Sequence, residues 1–396
     1  MKLTKRVLRM SPSPTMAITS KAKELRAKGI DVIGFGAGEP DFDTPYHIKE
    51  AAKEAIDMGF TKYTPPAGIP ELRRAVADKL KEENKIEYSP EEIVITDGAK
   101  QALFNLILTV IEEGDEVVIP SPYWVTYPEQ VKFAGGTPVF VETEEVKGFA
   151  FTVEELKKAV SSKTKLVIVC TPHNPTGAVI PKEELLKIGE FCAERGILIA
   201  SDECYEYLTY DGVKHTSMAS LSKEIKEITI TINALSKGFS MTGWRVGYAA
   251  GPKEIIDAMI KINSQSISNV NSIAQKAAVA ALTKPKDFLK EWLEAFDERR
   301  RYMVEKLNEI EGVSCLMPKG AFYAFPNVKE LLKEGNFKDD WELAKFLLEE
   351  AKIAVVPGSA FGYPGYLRLS YATSMENIEE GLNRFKEAVE RRLNGS

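Results

Sequence analysis

The chain is predicted to fold as α/β, with a mostly parallel central sheet, helices on both faces of it and a smaller α/β domain beyond. Three observations point there. Apolar, β-branched runs recur along the first two thirds, and most stop at a small-residue or turn segment that opens an amphipathic helix, the rhythm of a βαβ sheet. With 396 residues, 44% of them hydrophobic, the chain exceeds what one core usually serves, so two domains are expected. Past Gly251-Pro252 the pattern changes to long helices and then to a shorter strand–helix alternation.

Composition narrows the function before any motif does. With 52 basic against 58 acidic side chains the net charge is −6, so no global basic surface invites nucleic acid. Lys2, Lys5, Arg6 and Arg9 are interrupted by Ser11-Pro12-Ser13-Pro14, and no apolar h-region follows, so no secretory leader is expected. No run of about 18 apolar residues is long enough to span a membrane. A soluble, cytoplasmic protein is expected. Cys170, Cys192, Cys204 and Cys315 form no C-x-x-C pair and read as reduced core thiols. His47, His173 and His215 supply neither H-E-x-x-H nor a Cys/His cluster, so no metal site or Ser-His-Asp triad is expected.

Taken in order, Asp31 to Pro40 reads as a short strand entering a glycine-rich bend. Thr44 as N-cap and Pro45 in the first turn start a helix with Ile48, Ala51, Ala52, Ala55 and Ile56 on one face. A proline-rich loop from Lys62 leads to Pro70-Glu71, which begin a helix carrying Leu72, Ala75, Val76 and Leu80. Tyr63 in that loop, taken by itself, is a packing plug. Glu92 to Thr96 is a strand, and Asp97-Gly98-Ala99-Lys100 opens a helix whose unpaired amides and dipole favour an anion, with an ordinary βα turn the equal alternative.

Val117 to Pro120 is a buried strand followed by Tyr123-Trp124, where Trp124 is either packing or a face for a flat ring. Lys165 to Cys170 is another, ending in the turn chemistry of Thr171-Pro172-His173-Asn174-Pro175-Thr176-Gly177. A helix over Glu183 to Glu194 closes at Gly196, and Ile197 to Tyr205 is the next strand. Asp202 within it needs a cap or, better, a cationic partner. Ile228 to Ile232 then feed a small-residue turn that leaves room for a bulky ligand beside Lys237. Arg245, eight residues on, suits a phosphate. Lysine and arginine at this spacing suggest a Schiff base with a phosphorylated carbonyl compound.

Beyond Pro252, Leu289, Leu293, Phe296, Met303, Leu307 and Ile310 mark a long amphipathic bridge, with Arg299-Arg300-Arg301 as a charged face. Strands are expected at Ala321 to Phe325, Ile353 to Val356 and Tyr366 to Tyr371, with a helix near Trp341 to Ala351 and Thr373-x-x-Glu376 capping the last helix. Leu367 and Leu369 share a face, so Arg368 points the other way, where alone it reads as a rim salt bridge.

The stretch from Asn233 through Ala234, Ser236, Lys237, Gly243 and Arg245 to Tyr248 closely resembles the cofactor-lysine segment of fold-type I pyridoxal-phosphate (PLP) aminotransferases of class I/II, the group that includes aspartate aminotransferase. The likeness covers nearly the whole chain, with its motifs in order. It implies the PLP-dependent transferase fold type I, divided into an N-terminal segment with part of the small domain (1–45), a large PLP-binding domain (46–285) and a small C-terminal domain (286–396).

The resemblance also implies roles. Lys237 carries pyridoxal 5′-phosphate as a Schiff base and moves the substrate proton, Asp202 pairs with the pyridine nitrogen, and Tyr205 and Asn174 bond the 3′-oxygen. Trp124 stacks on the ring. Gly98, Ala99, Lys100, Ser236 and Arg245 surround the phosphate, and Tyr63 reaches it from the neighbouring subunit, which makes the active unit a homodimer with shared active sites. Arg368 clamps the substrate α-carboxylate beside Asn174, Gly38 lies in the substrate-facing loop, and Lys100 with Thr15 nearby takes the distal carboxylate of a dicarboxylic substrate. Two places depart from the family pattern. Ala234 replaces a frequent serine, so Ser236 or a main-chain amide must supply that phosphate donor, and His173 replaces a frequent asparagine and reads as packing.

The implied activity is ping-pong transfer of an amino group from an L-amino acid, foremost aspartate, to 2-oxoglutarate. Small amino acids and 2-oxo acids are then the partners, with no nucleic acid and no membrane. Aromatic, prephenate or alanine aminotransferases are the alternatives within this reaction. A PLP β-lyase on the same scaffold and a catalytically silent ligand-binding regulator are the alternatives outside it.

Overall fold

The computed structural model describes residues 3–395, with the side chain of Thr19 excepted. A short strand β1 (Ile33–Gly34) precedes the central sheet, which is formed by β2 (Ile93–Thr96), β3 (Glu116–Ser121), β4 (Thr137–Glu142), β5 (Thr164–Cys170), β6 (Leu198–Asp202), β7 (Thr229–Ala234) and β8 (Gly247–Ala250). Their spatial order is β2-β8-β7-β6-β5-β3-β4. β8 runs antiparallel to β2 and to β7, and the remaining pairings are parallel. Helices cover both faces, which is why β7 is buried at every residue and β5 at all but Lys165.

Past the sheet lie β9 (Tyr323–Ala324), β10 (Ile353–Ala354), β11 (Val356–Pro357) and β12 (Leu367–Ser370). β12 is paired antiparallel on one side to β11 and on the other to β9, and β10 pairs in parallel with β1. The core of this region joins Ile33 and Phe35 to Phe296, Phe322, Leu367 and Phe385, and it also takes in Tyr205, Leu208 and Tyr210 from the segment after β6. That segment is therefore a seam between the central sheet and the C-terminal layers.

Several expected boundaries shift for local reasons. Pro45, not Thr44, caps the helix Tyr46–Asp57. The Thr44 hydroxyl instead donates to the Ser240 carbonyl at 2.6 Å and accepts from the Trp244 indole at 2.9 Å. On the same helix Ile48, Ala52 and Ala55 are buried while Ile56 faces outward. Ser374, one residue after the expected Thr373, caps the last helix by accepting from the Asn377 amide. The strand expected to reach Tyr205 stops at Asp202, because the Glu206 and Leu208 amides turn back to the Glu203 and Tyr205 carbonyls. Arg300 is no part of a solvated charged face. It is fully buried, bridged to Asp211 and Asp297 and bonded to the Pro318 carbonyl, which supplies the pairing a buried guanidinium requires.

Among the described residues no helix is long and apolar enough to cross a membrane.

Candidate active site

Because β8 reverses direction twice over, β2 runs the same way as β7, and the carboxyl ends of β2, β3, β5, β6 and β7 share one edge of the sheet. Crevices for ligands form at such edges. Here the edge floors a cleft of about 590 Å³, lined by Ala99, Lys100, Trp124, Asn174, Asp202, Tyr205, Ser236 and Lys237, and roofed by Gly38 and Thr15 from the N-terminal segment and Arg368 from β12. Thr15 and Arg368, 353 positions apart in sequence, thus meet in one cavity.

Lys237 sits in a four-residue helix directly after β7. Its ammonium donates to the Gly38 carbonyl. Burial and the nearby Arg368 cation push its pKa down to about 8, against the pull of Cys204, Glu39 and Asp202. A lysine so placed gives up its proton far more readily than a free one, which is what a nucleophile or base needs. Asp202 ends β6, and burial pushes its carboxyl above the usual range even though the Tyr127 hydroxyl donates to Oδ2 at 2.6 Å. Such an acid is held for a cationic partner.

Tyr205 is buried, with its hydroxyl 2.9 Å from that of Tyr323 and the Asn174 amide donating to it at 3.5 Å. Arg368 donates through Nη1 to Asn174 Oδ1 at 3.0 Å and through Nη2 to the Gly36 carbonyl at 2.9 Å. Its Nε is buried and, among the described residues, has no hydrogen-bond partner. A carboxylate arriving in the cleft is the kind of group that would take it.

The anion end is built by β2 and the helix Ala99–Val110. Gly98 caps that helix with φ +78°, and a Cβ on it would stand 2.7 Å from Arg245 Nη2. Arg245 donates to the Thr242 and Asp97 carbonyls at 2.9 and 2.8 Å, which fixes the guanidinium beside the helix N-terminus. Ser236 is buried at the same end of the cleft. Ala234 lines it too, its amide turned to Asn233 Oδ1 at 2.7 Å. The Lys100 ammonium lies 5.0 Å from the centroid of Trp124, its pKa lowered by partial burial and by Arg245. Thr15 is bonded to Ser13 at 3.0 Å.

Tyr63 is 90% exposed and outside the cleft. The His173 imidazole is buried behind the cleft, bonded to Thr176 at 2.8 Å, and burial lowers its pKa to about 4, so it packs as a neutral ring.

Two cleft tyrosines carried no signal in the sequence. Tyr127 stands edge-on to Trp124, 5.4 Å between centroids, and holds Asp202. Tyr323 touches Tyr205 and lies under Arg368. Only a pattern that places both beside their partners in space could have found them.

On the reverse side of the same segment, Glu203, Glu206 and His215 bring ligand-type atoms within 4.8 Å of one another. Their carboxylates are already served from within. Glu203 accepts from Ser201, Ser217 and the Met218 amide and pairs with His215, while Glu206 accepts from Lys79, Asn84 and Asn233.

A strand-end lysine, a buried acid, a helix N-terminus with an arginine and a buried guanidinium thus meet in one cleft. Residues 30–385 match the family described as aminotransferase class I and II, and the chain belongs to that family. It is 56% identical over 390 residues, 98% of each chain, to a protein of Aquifex aeolicus (strain VF5) named probable aspartate/prephenate aminotransferase. It is 54% identical to the aspartate aminotransferase of Bacillus subtilis (strain 168), across 99% of this chain and 100% of that one. The solved structure of aspartate aminotransferase from Thermus thermophilus with maleate superposes with a TM-score of 0.94 at 46% identity, covering 98% of this chain and 100% of that one.

Proposed function

We propose that the cleft binds pyridoxal 5′-phosphate and transfers the amino group of L-aspartate to 2-oxoglutarate. The observation that carries this reading is the single cavity lined by Lys237, Asp202, Asn174, Tyr205 and Arg368. The fit to the coenzyme rests on chemistry: Gly98 leaves the helix N-terminus open beside Arg245 for a phosphate, and Asp202, a buried acid at the cleft floor, suits a protonated ring nitrogen. When bound, that coenzyme supplies an electron sink for the charge left when the substrate Cα–H bond breaks. Lys237 would hold the coenzyme, and its free amine would be the base that takes the substrate Cα proton and the acid that gives it back. Trp124 covers the ring face, Tyr205 and Asn174 donate to the ring oxygen, and Ser236 stands in for the phosphate donor absent at Ala234. Arg368 orients the α-carboxylate through a bidentate pair.

Lys100 with Thr15 takes the side-chain carboxylate, which makes aspartate the preferred donor. The names of the relatives support both this and a second reading, prephenate as an amino acceptor, since prephenate likewise carries a second carboxylate. Tyr63, with Tyr46, Ile56 and Met58 also exposed, supports a homodimer in which Tyr63 completes the partner's site. Four free cysteines, three of them buried, support a reducing, cytoplasmic setting. The partition into a PLP-binding part (46–285) and a small part (286–396 with 1–45) stays part of the proposal.

The test is Lys100→Ala assayed with aspartate and with phenylalanine. Aspartate kcat/KM should fall by about tenfold or more, the worth of a charge-assisted bond, with phenylalanine little changed. An equal loss for both donors sinks the dicarboxylate assignment, and ammonia release in place of transfer sinks the aminotransferase reading.

A further inference from the structure

Tyr323 stands where three parts of the cleft meet. Its hydroxyl lies 2.9 Å from that of Tyr205. Its ring lies under the Arg368 guanidinium, 4.4 Å from carbon to centroid, with Phe361 at 4.8 Å as a second face. Gly38, whose carbonyl takes the Lys237 ammonium, passes so close that a Cβ there would be 3.0 Å from the Tyr323 hydroxyl.

Tyr323 is itself held firmly. Two residues earlier Ala321 has φ +58°, its carbonyl accepts from the hydroxyls of Tyr210 at 2.6 Å and Tyr371 at 3.1 Å, and its amide donates to the Leu208 carbonyl. Next to it Gly320 leaves no room for a Cβ between Pro172 and Leu208. β9 is therefore pinned to the central-sheet side while it pairs with the strand that carries Arg368.

We propose that Tyr323 is a positioning residue that couples the carboxylate clamp to the coenzyme ring: its hydroxyl aims Tyr205, and its aromatic face sets the plane of Arg368. This rests on the function proposed above. A tyrosine has one proton to give. If Tyr205 spends it on the ring oxygen of a bound coenzyme, its own oxygen must accept, and the Asn174 amide at 3.5 Å is a long partner. Tyr323 is the near one, and an O–H chain of this kind strengthens the terminal donor. The ring contact is separate, since a cation over an aromatic face needs no hydroxyl. The charged or ionisable groups around the two tyrosines include Arg368, Cys204, Cys170 and Lys237, whose ammonium lies 5.7 Å from the centroid of Tyr205.

The two halves of the proposal separate by substitution. Tyr323→Phe removes the hydroxyl and keeps the ring, whereas Tyr323→Leu removes both. The protein is loaded with pyridoxal phosphate, the pH titration of its visible band is recorded, and the affinity for succinate, an unreactive dicarboxylate, is measured by calorimetry. Weaker donation to the ring oxygen lets the neighbouring nitrogen keep its proton to higher pH. Tyr323→Phe should therefore raise the titration midpoint by about half a unit and leave succinate affinity within about twofold. Tyr323→Leu should raise it similarly and weaken succinate by about fivefold or more. An unmoved midpoint in Tyr323→Phe, or equal succinate losses in the two variants, overturns the coupling while leaving the proposed function intact. A wild-type protein with no titrating visible band overturns both.

Discussion

The hydroxyl of Tyr127 donates to Asp202 Oδ2 across 2.6 Å at the floor of the cleft. This bond lowers the carboxyl pKa while burial, the larger influence, raises it. Losing the bond leaves burial less opposed, and a neutral acid grips a ring cation poorly. Tyr127→Phe should weaken pyridoxal-phosphate binding by about tenfold, the lower range for a hydrogen bond to a charged group, and the loss should shrink as pH rises and the carboxyl ionises. Fluorescence titration of the coenzyme across pH 6 to about 9 measures this. A loss that grows with pH contradicts it.

Lys237 offers a direct pH test. Its amine has a folded-state pKa of about 8, below the ordinary 10.5. Between those values the unfolded chain holds a proton that the folded chain has shed, so this residue makes the coenzyme-free protein more stable as pH rises through the window. Lys237→Met removes that contribution. Urea midpoints of wild type and variant should converge from pH 8 towards pH 10, with the variant ahead at the lower end; parallel lines would show that the amine titrates normally.

Gly98 joins a left-handed backbone to a close neighbour, and either alone resists a side chain. With φ +78° and ψ 171°, Gly98→Ala should destabilise the fold by about 1–3 kcal/mol for the conformation, and displacement of Arg245 should weaken coenzyme binding further. Chemical denaturation with and without the coenzyme separates the two effects. An alanine variant with wild-type coenzyme affinity removes Arg245 and the helix N-terminus from the phosphate site.

Lys79 and Glu206 form an almost wholly buried ion pair behind the cleft. Lys79→Met strands the carboxylate, at a cost of about 3 kcal/mol or more. Adding Glu206→Gln should recover most of that loss, because the amide keeps a carbonyl for Asn84 or Asn233. Urea unfolding of the two single variants and the double variant gives the coupling, and simple additivity would mean that the pair contributes nothing as a pair.

Much of this site was legible because its residues sit at strand ends followed by turns. The runs before Asp97, Asn174 and Asp202 and the segment around Lys237 each announce themselves within about ten residues, and the resemblance then attached roles to them. What stayed hidden is what needs distance. β4 is weakly marked in the sequence, since Pro138 breaks Thr137 to Glu142, an edge strand that is half exposed. β8 was passed over because Gly247-Tyr248-Ala249-Ala250 has no β-branched residue to mark it. Arg300 looked like one of three surface charges until Asp211, 89 residues earlier, was seen to meet it. Tyr127 and Tyr323 sit in ordinary aromatic surroundings in sequence, and only their partners give them meaning.

The segment from Asp202 to Glu206 turns Asp202 and Tyr205 towards the cleft, and Glu203 and Glu206 towards Lys79, His215 and Asn233. One length of chain thus serves two chambers, a cleft open to ligand on one side and a closed network of hydrogen bonds around Lys79 on the other. Inserting or deleting a single residue here would draw at least one of these side chains away from its partners. Surface loops can drift in length, but this buried segment cannot without giving up those contacts.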